Sequence, residues 1–159
     1  MNDKSGNEVK IAPPYPPIGL GPDGWTPVEP GLFEYPVPEG TTPALLGSKC
    51  TNCGRTFFPK RTLCPDCFDQ GNMETKRLNP RGVIYSSTIV HIPSPVGLKP
   101  PYAYGYVDIL EENIRVFALF EGNDPDSFTP GKEVELVIDS FVKNRLGQNV
   151  IGYKFKPVE

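Results

Sequence analysis

Residues 50–67 read "CTNCGRTFFPKRTLCPDC" and hold all four cysteines of the chain, as two Cys-x-x-Cys pairs separated by ten residues. A tight Cys-x-x-Cys turn points two sulfurs at one ion, and two such turns at the ends of a hairpin give the four thiolates of a tetrahedral Zn²⁺ site. Gly54 directly after Cys53 suits a turn that needs positive φ, and Pro65 after Cys64 stiffens the second turn. The spacing therefore predicts a zinc ribbon with Cys50, Cys53, Cys64 and Cys67 as ligands. Iron fits the same S₄ cage and stands as the competing metal.

Other uses of four thiols fit less well. A dithiol oxidoreductase places one Cys-x-x-Cys at a helix N-terminus beside a βαβ pattern, and no such pattern occurs here. A metal-bound thiolate is not free to attack a substrate, and the chain has no fifth cysteine. Its one histidine, His91, follows a β-like run beside Pro93, where an edge or surface role outweighs that of a catalytic base without an orienting partner. No catalytic residues are expected.

Around the cysteines, residues 44–79 are too short and too polar to build an apolar core, so a metal must hold them together. Upstream, residues 1–43 contain ten of the twenty prolines. Proline locks φ and removes a donor, which excludes a regular helix or a central strand. Yet Tyr15, Ile18, Leu20, Trp25, Leu32, Phe33 and Tyr35 interrupt this segment, unlike a purely polar disordered leader. It reads as an extended arm that lays its aromatic residues, Trp25, Phe33 and Tyr35 among them, on a partner or on its own core.

Downstream, residues 80–159 change character. Five runs, at 82–92, 102–110, 113–122, 132–142 and 149–157, are rich in β-branched and aromatic residues and bounded by turn formers. The fourth alternates, with Val134, Leu136 and Ile138 on one face and Glu133 and Glu135 on the other. Short connectors and no amphipathic helix point to a mainly β chain ending in a five-stranded OB-fold barrel. An SH3-like barrel or a sandwich also fits five strands. In the second run, Ala103, Gly105 and Val107 suit a tight interior, which turns Tyr102, Tyr104 and Tyr106 outward as a surface able to stack a ligand or dock a protein.

Within the ribbon loop, Phe57 and Phe58 either cover the knuckle or anchor an interface. Lys60 and Arg61 are either solvated charge or contacts for a phosphate or a carboxylate. The net charge of −3 gives no global field for nucleic acid. Beyond "PKR" and "KR" at 76–77 there is no basic cluster, so a single-stranded nucleic-acid module is the weaker reading. No apolar run of about 18 residues exists and "MNDKSGNEVK" carries no apolar signal segment, so the expectation is a cytoplasmic protein without membrane contact.

The order "CTNCG", "FPKR", "CPDC", "RGVIYSSTIVH" and a terminal "GYKFKP" resembles the bacterial and archaeal proteins that join a rubredoxin-like zinc ribbon to a C-terminal OB-fold. The resemblance spans roughly residues 44–157. It implies a non-catalytic accessory subunit in a hetero-oligomer with a thiolase-like large subunit, with CoA or acyl-CoA at or near the interface. The Pro-rich aromatic leader looks similar to that of the branch serving benzoylsuccinyl-CoA thiolase in anaerobic toluene breakdown. The chemistry agrees: thiolysis needs a cysteine nucleophile and bases, which this chain lacks and a partner would supply.

Overall fold

The structure is a computed structural model and describes residues 24–159. Among these residues nine strands follow in chain order: β1 (Thr26–Pro27), β2 (Leu46–Cys50), β3 (Thr56–Phe57), β4 (Met73–Arg77), β5 (Arg81–Val90), β6 (Tyr102–Ile109), β7 (Ile114–Phe120), β8 (Glu133–Lys143) and β9 (Asn149–Pro157). The single helical element among the described residues is a 3₁₀ turn at Pro125–Ser127. No helix among them is long and apolar enough to cross a membrane.

The five β-rich runs become β5 to β9, with ends within two residues of the sequence reading. They close into a ring in which β5 pairs with β6 and β8, β6 with β7, β7 in parallel with β9, and β9 with β8. This is the five-stranded OB-fold barrel. Period-2 alternation places Ile84, Val107, Ile109, Val116, Val134, Ile151 and Phe155 inside, all fully or almost fully buried. On β8 the opposite face carries Glu133 and Glu135, and Glu135 pairs with Lys156 of β9 at 3.2 Å.

β6 divides as its small residues dictate. Ala103 and Val107 are buried and Gly105 lies between them, while Tyr102, Tyr104 and Tyr106 face outward. Phe117 of β7 joins that outer face, with its ring 5.3 Å from Tyr104 and 5.6 Å from Tyr106. Beside it Arg115, held by both carboxylate oxygens of Asp108, stacks 3.2 Å above the Tyr85 ring.

Residues 1–23, with Tyr15, Ile18 and Leu20, lie outside the described residues. From Gly24 the arm runs along the barrel. β1 pairs with Val150 and Ile151 of β9, on the edge that β7 occupies further along at Lys154 and Phe155. Proline is tolerated there because β1 is an edge strand. Of the two destinations open to the arm's aromatic residues, the chain's own core takes Phe33, which is buried and bridges to Leu45, while Trp25, Leu32 and Tyr35 pack against that core.

The ribbon is a separate antiparallel sheet in the order β3-β2-β4. Side-chain contacts and a backbone hydrogen bond from Leu46 of β2 to Leu32 of the arm, at 2.8 Å, fasten it to the rest. Arg77 of β4 clasps both carboxylate oxygens of Glu34 in the arm at 2.7 and 2.9 Å. Lys76 reaches Glu112 in the β6–β7 turn at 3.2 Å, and the Glu112 carboxylate also accepts the Asn79 amide. Phe58 packs edge-on against Tyr153 of β9. Both cations of "KR" thus serve internal ion pairs.

Tyr153 gives the junction a pH signature. Its hydroxyl donates to the Phe117 carbonyl at 2.8 Å. Burial first, and then the charge of Glu29, push the phenol up to about 12 from an ordinary value near 10. The fold favours the neutral phenol, so this stabilisation is whole below pH ~10 and fades as pH rises through about 12. Urea unfolding at pH 8 and pH 11 should show wild-type stability falling at the higher pH, and Tyr153→Phe should show a clearly smaller fall. At pH 8 the variant loses about 1 kcal/mol with the hydrogen bond.

Candidate metal centre

The two Cys-x-x-Cys turns are built alike. In the first, the Gly54 amide donates to the Cys50 carbonyl at 2.8 Å and the Cys50 amide to the Arg55 carbonyl at 2.8 Å. In the second, the Phe68 amide donates to Cys64 at 2.9 Å and the Cys64 amide to Asp69 at 3.1 Å. Each turn closes through a left-handed residue after its second cysteine, Gly54 at φ 78° and Phe68 at φ 57°. The glycine is legible in the sequence, whereas Phe68 becomes visible only by matching the turns position for position. Arg55 of the first turn and Asp66 of the second form an ion pair at 2.9 Å that ties the knuckles together.

All four sulfurs lie within 4.8 Å of one another. The short pairs run across the knuckles, Cys50 to Cys67 at 3.7 Å and Cys53 to Cys64 at 3.6 Å. Four sulfurs each about 2.3 Å from a tetrahedral metal sit about 3.8 Å apart, so the donor set fits such an ion. Cys50 and Cys64 are buried, Cys67 is half-buried and Cys53 is exposed. The thiols also diverge in acidity. A hydrogen bond from the Asn52 amide group, with the Asp69 amide adding to it, lowers Cys67 to about 7. For Cys53 the Arg55 amide pulls down, but burial and the three neighbouring sulfurs push up, and the net is a rise to about 12. Such crowding opposes four simultaneous thiolates until a cation balances their charge. These sulfurs would hold the ion, and the chemistry it supplies in a closed four-sulfur cage is structural.

The ribbon loop turns its aromatic residues inward and its cations outward. Phe57 lies half-buried in β3 and Phe58 rests on the barrel. Lys60 and Arg61 are exposed, and the Arg61 amide is pinned to the buried Ser48 hydroxyl at 3.0 Å. The two cations line an open cleft with Ser48, Thr62 and Thr75, a combination of charge and hydroxyls suited to an anion. His91 is exposed just beyond β5. Sequence reasoning missed Glu112, whose side chain is 2 % exposed, and the Arg115–Tyr85 stack.

A closed four-sulfur ribbon fastened to an OB barrel defines a two-module, metal-binding β protein. The family models agree: the ChsH2 rubredoxin-like zinc ribbon domain matches residues 39–74, and the ChsH2 C-terminal OB-fold domain matches residues 75–139. The benzoylsuccinyl-CoA thiolase subunit BbsA of Thauera aromatica is 41 % identical over 129 residues, covering 81 % of this chain and 86 % of that protein. A DUF35 domain-containing scaffold protein of Methanothermobacter thermautotrophicus is 39 % identical over 116 residues, covering 71 % and 86 %. The chain belongs to this family of rubredoxin-like zinc ribbon and OB-fold proteins. Among solved structures, the Ltp2-ChsH2(DUF35) aldolase shares the fold, with a TM-score of 0.59 at 23 % identity over 72 % of this chain and 84 % of that one.

Proposed function

We propose that this chain is a non-catalytic accessory subunit of a thiolase-type acyl-CoA acyltransferase complex in the cytoplasm. Cys50, Cys53, Cys64 and Cys67 hold a structural Zn²⁺. The observation that carries the reading is the convergence of all four sulfurs on one point, which leaves the chain no thiol to carry an acyl group. The large subunit supplies the nucleophile and bases. The similarity to a protein named as a benzoylsuccinyl-CoA thiolase subunit supports (S)-2-benzoylsuccinyl-CoA thiolase of anaerobic toluene degradation as the particular complex. Affinity purification from the native source, with the partner identified by mass, tests the reading directly. A thiolase-type large subunit is the expected result, and its absence from the purified assembly overturns it.

Lys60 and Arg61, with the cleft hydroxyls, suit the phosphates of CoA or a carboxylate on the large subunit. The double variant K60A/R61A is expected to raise the KM for CoA or weaken the complex by about tenfold, the loss of one or two charge-assisted hydrogen bonds. Unchanged values for both assign these cations to solvent. A nucleic-acid module finds little support, since Lys76 and Arg77 are engaged in ion pairs and the chain is acidic overall. Salt-sensitive binding of single-stranded RNA or DNA would revive it. Visible colour or iron on elemental analysis would replace zinc with iron and favour an electron-transfer role.

A further inference from the structure

The second knuckle contains a side chain that its own fold does not explain. Phe68 occupies the position that Gly54 fills in the first knuckle, with the same backbone hydrogen bond and a φ of 57°. The left-handed region costs a residue with a side chain about 1–2 kcal/mol relative to glycine. The other non-glycine residue with positive φ among the described residues is Asn113, a type that tolerates it. Burial does not offset the cost at Phe68, because the residue is 74 % exposed. Leu63, on the strand-like bridge to Gln70 that flanks the same knuckle, is also exposed. Glycine at position 68 would serve the metal turn better, and the aromatic ring faces solvent.

We infer that Phe68 is an anchor that docks the second knuckle into an apolar pocket on the partner enzyme subunit. This rests on the accessory-subunit reading above. The neighbouring polar groups are already engaged, Asp66 with Arg55 at 2.9 Å and Asp69 with the Asn72 side-chain amide at 2.7 Å, so what this knuckle offers a partner is the apolar ring, which fits an apolar pocket on the enzyme subunit and not a phosphate-rich ligand. An aromatic residue held on a rigid turn loses little freedom on docking, the property that concentrates binding energy in a few anchors.

The test uses the full chain, the F68G and F68N variants, and a separately purified thiolase-type large subunit, with affinity read by calorimetry. Both substitutions tolerate positive φ. Metal content should stay the same, the melting temperature should hold or rise, and the dissociation constant should weaken at least tenfold. A fall in the melting temperature of F68G shows that the ring serves the fold and overturns the inference. Unchanged affinity of both variants, with the wild-type chain binding, overturns it while leaving the accessory role intact. Failure of the wild-type chain to bind the large subunit overturns both.

Discussion

Cys53→Ser, or removal of the metal by a strong chelator, is expected to melt residues 46–77 while the barrel of residues 81–157 persists. The ribbon has little else to hold it. Its three strands contribute two, five and five residues, and β4 has no fully buried position. What is buried is Gly47, Ser48, Cys50 and Cys64, a set with almost no apolar surface apart from the sulfurs. Binding of a structural zinc is worth about 10–16 kcal/mol, far more than a sheet of this size supplies. Serine offers a harder, more basic oxygen in place of a thiolate, and three sulfurs cannot close the tetrahedron. Elemental analysis should show the metal lost. Hydrogen exchange should show amides of β2 and β4 unprotected while those of β6 and β9 remain slow. The barrel should lose a little stability too, because the Lys76–Glu112 pair and the Phe58–Tyr153 contact go with the ribbon. Full metal content in Cys53→Ser would remove that residue from the ligand set.

The difference between the two modules explains what the sequence made legible. The cysteines and Gly54 carry their purpose locally, since each chemical requirement falls within one turn. The barrel strands were equally readable because burial on one side enforces alternation, as Val134, Glu135 and Leu136 show. The arm's course was not. Two residues of pairing at Thr26 and Pro27 have no period to detect, and their register depends on where β7 leaves β9. Phe58 and Glu112 were obscure for a similar reason. Their partners, Tyr153 and Lys76, are 95 and 36 positions away, and nothing in the local pattern announces the pairing. Phe68 hid because its residue type argues against the backbone it adopts.

Gly105→Ala should be among the most damaging single-atom changes in the barrel. β6 passes β5 at the irregularity between Ile84 and Ser86, where the register shifts and two neighbouring residues crowd the opposite strand. A Cβ at position 105 would overlap the Ser86 carbonyl oxygen and come within 2.8 Å of its carbon and 2.9 Å of Ser87 Cα. Those are backbone atoms, so no rotamer change relieves them. Relief requires β5 and β6 to part where Ser87 donates to the Phe128 carbonyl and where Ala103 and Val107 fill the interior on either side. Overpacking against movable side chains costs about 1–3 kcal/mol, and a clash with fixed backbone lies at or above the top of that range. For a domain of this size each kcal/mol shifts the melting temperature by about 4–8 °C, so Gly105→Ala should melt more than about 10 °C below wild type. Calorimetry reads the result, and a shift under about 2 °C would mean that the two strands separate freely at this point. The outward tyrosines supply the contrast. Tyr106, one residue further along the same strand, is 45 % exposed, so the same strand carries a position that tolerates no added atom beside one that meets solvent with a whole ring. That division lets a single strand close the barrel with one face and present a row of aromatic rings outward with the other.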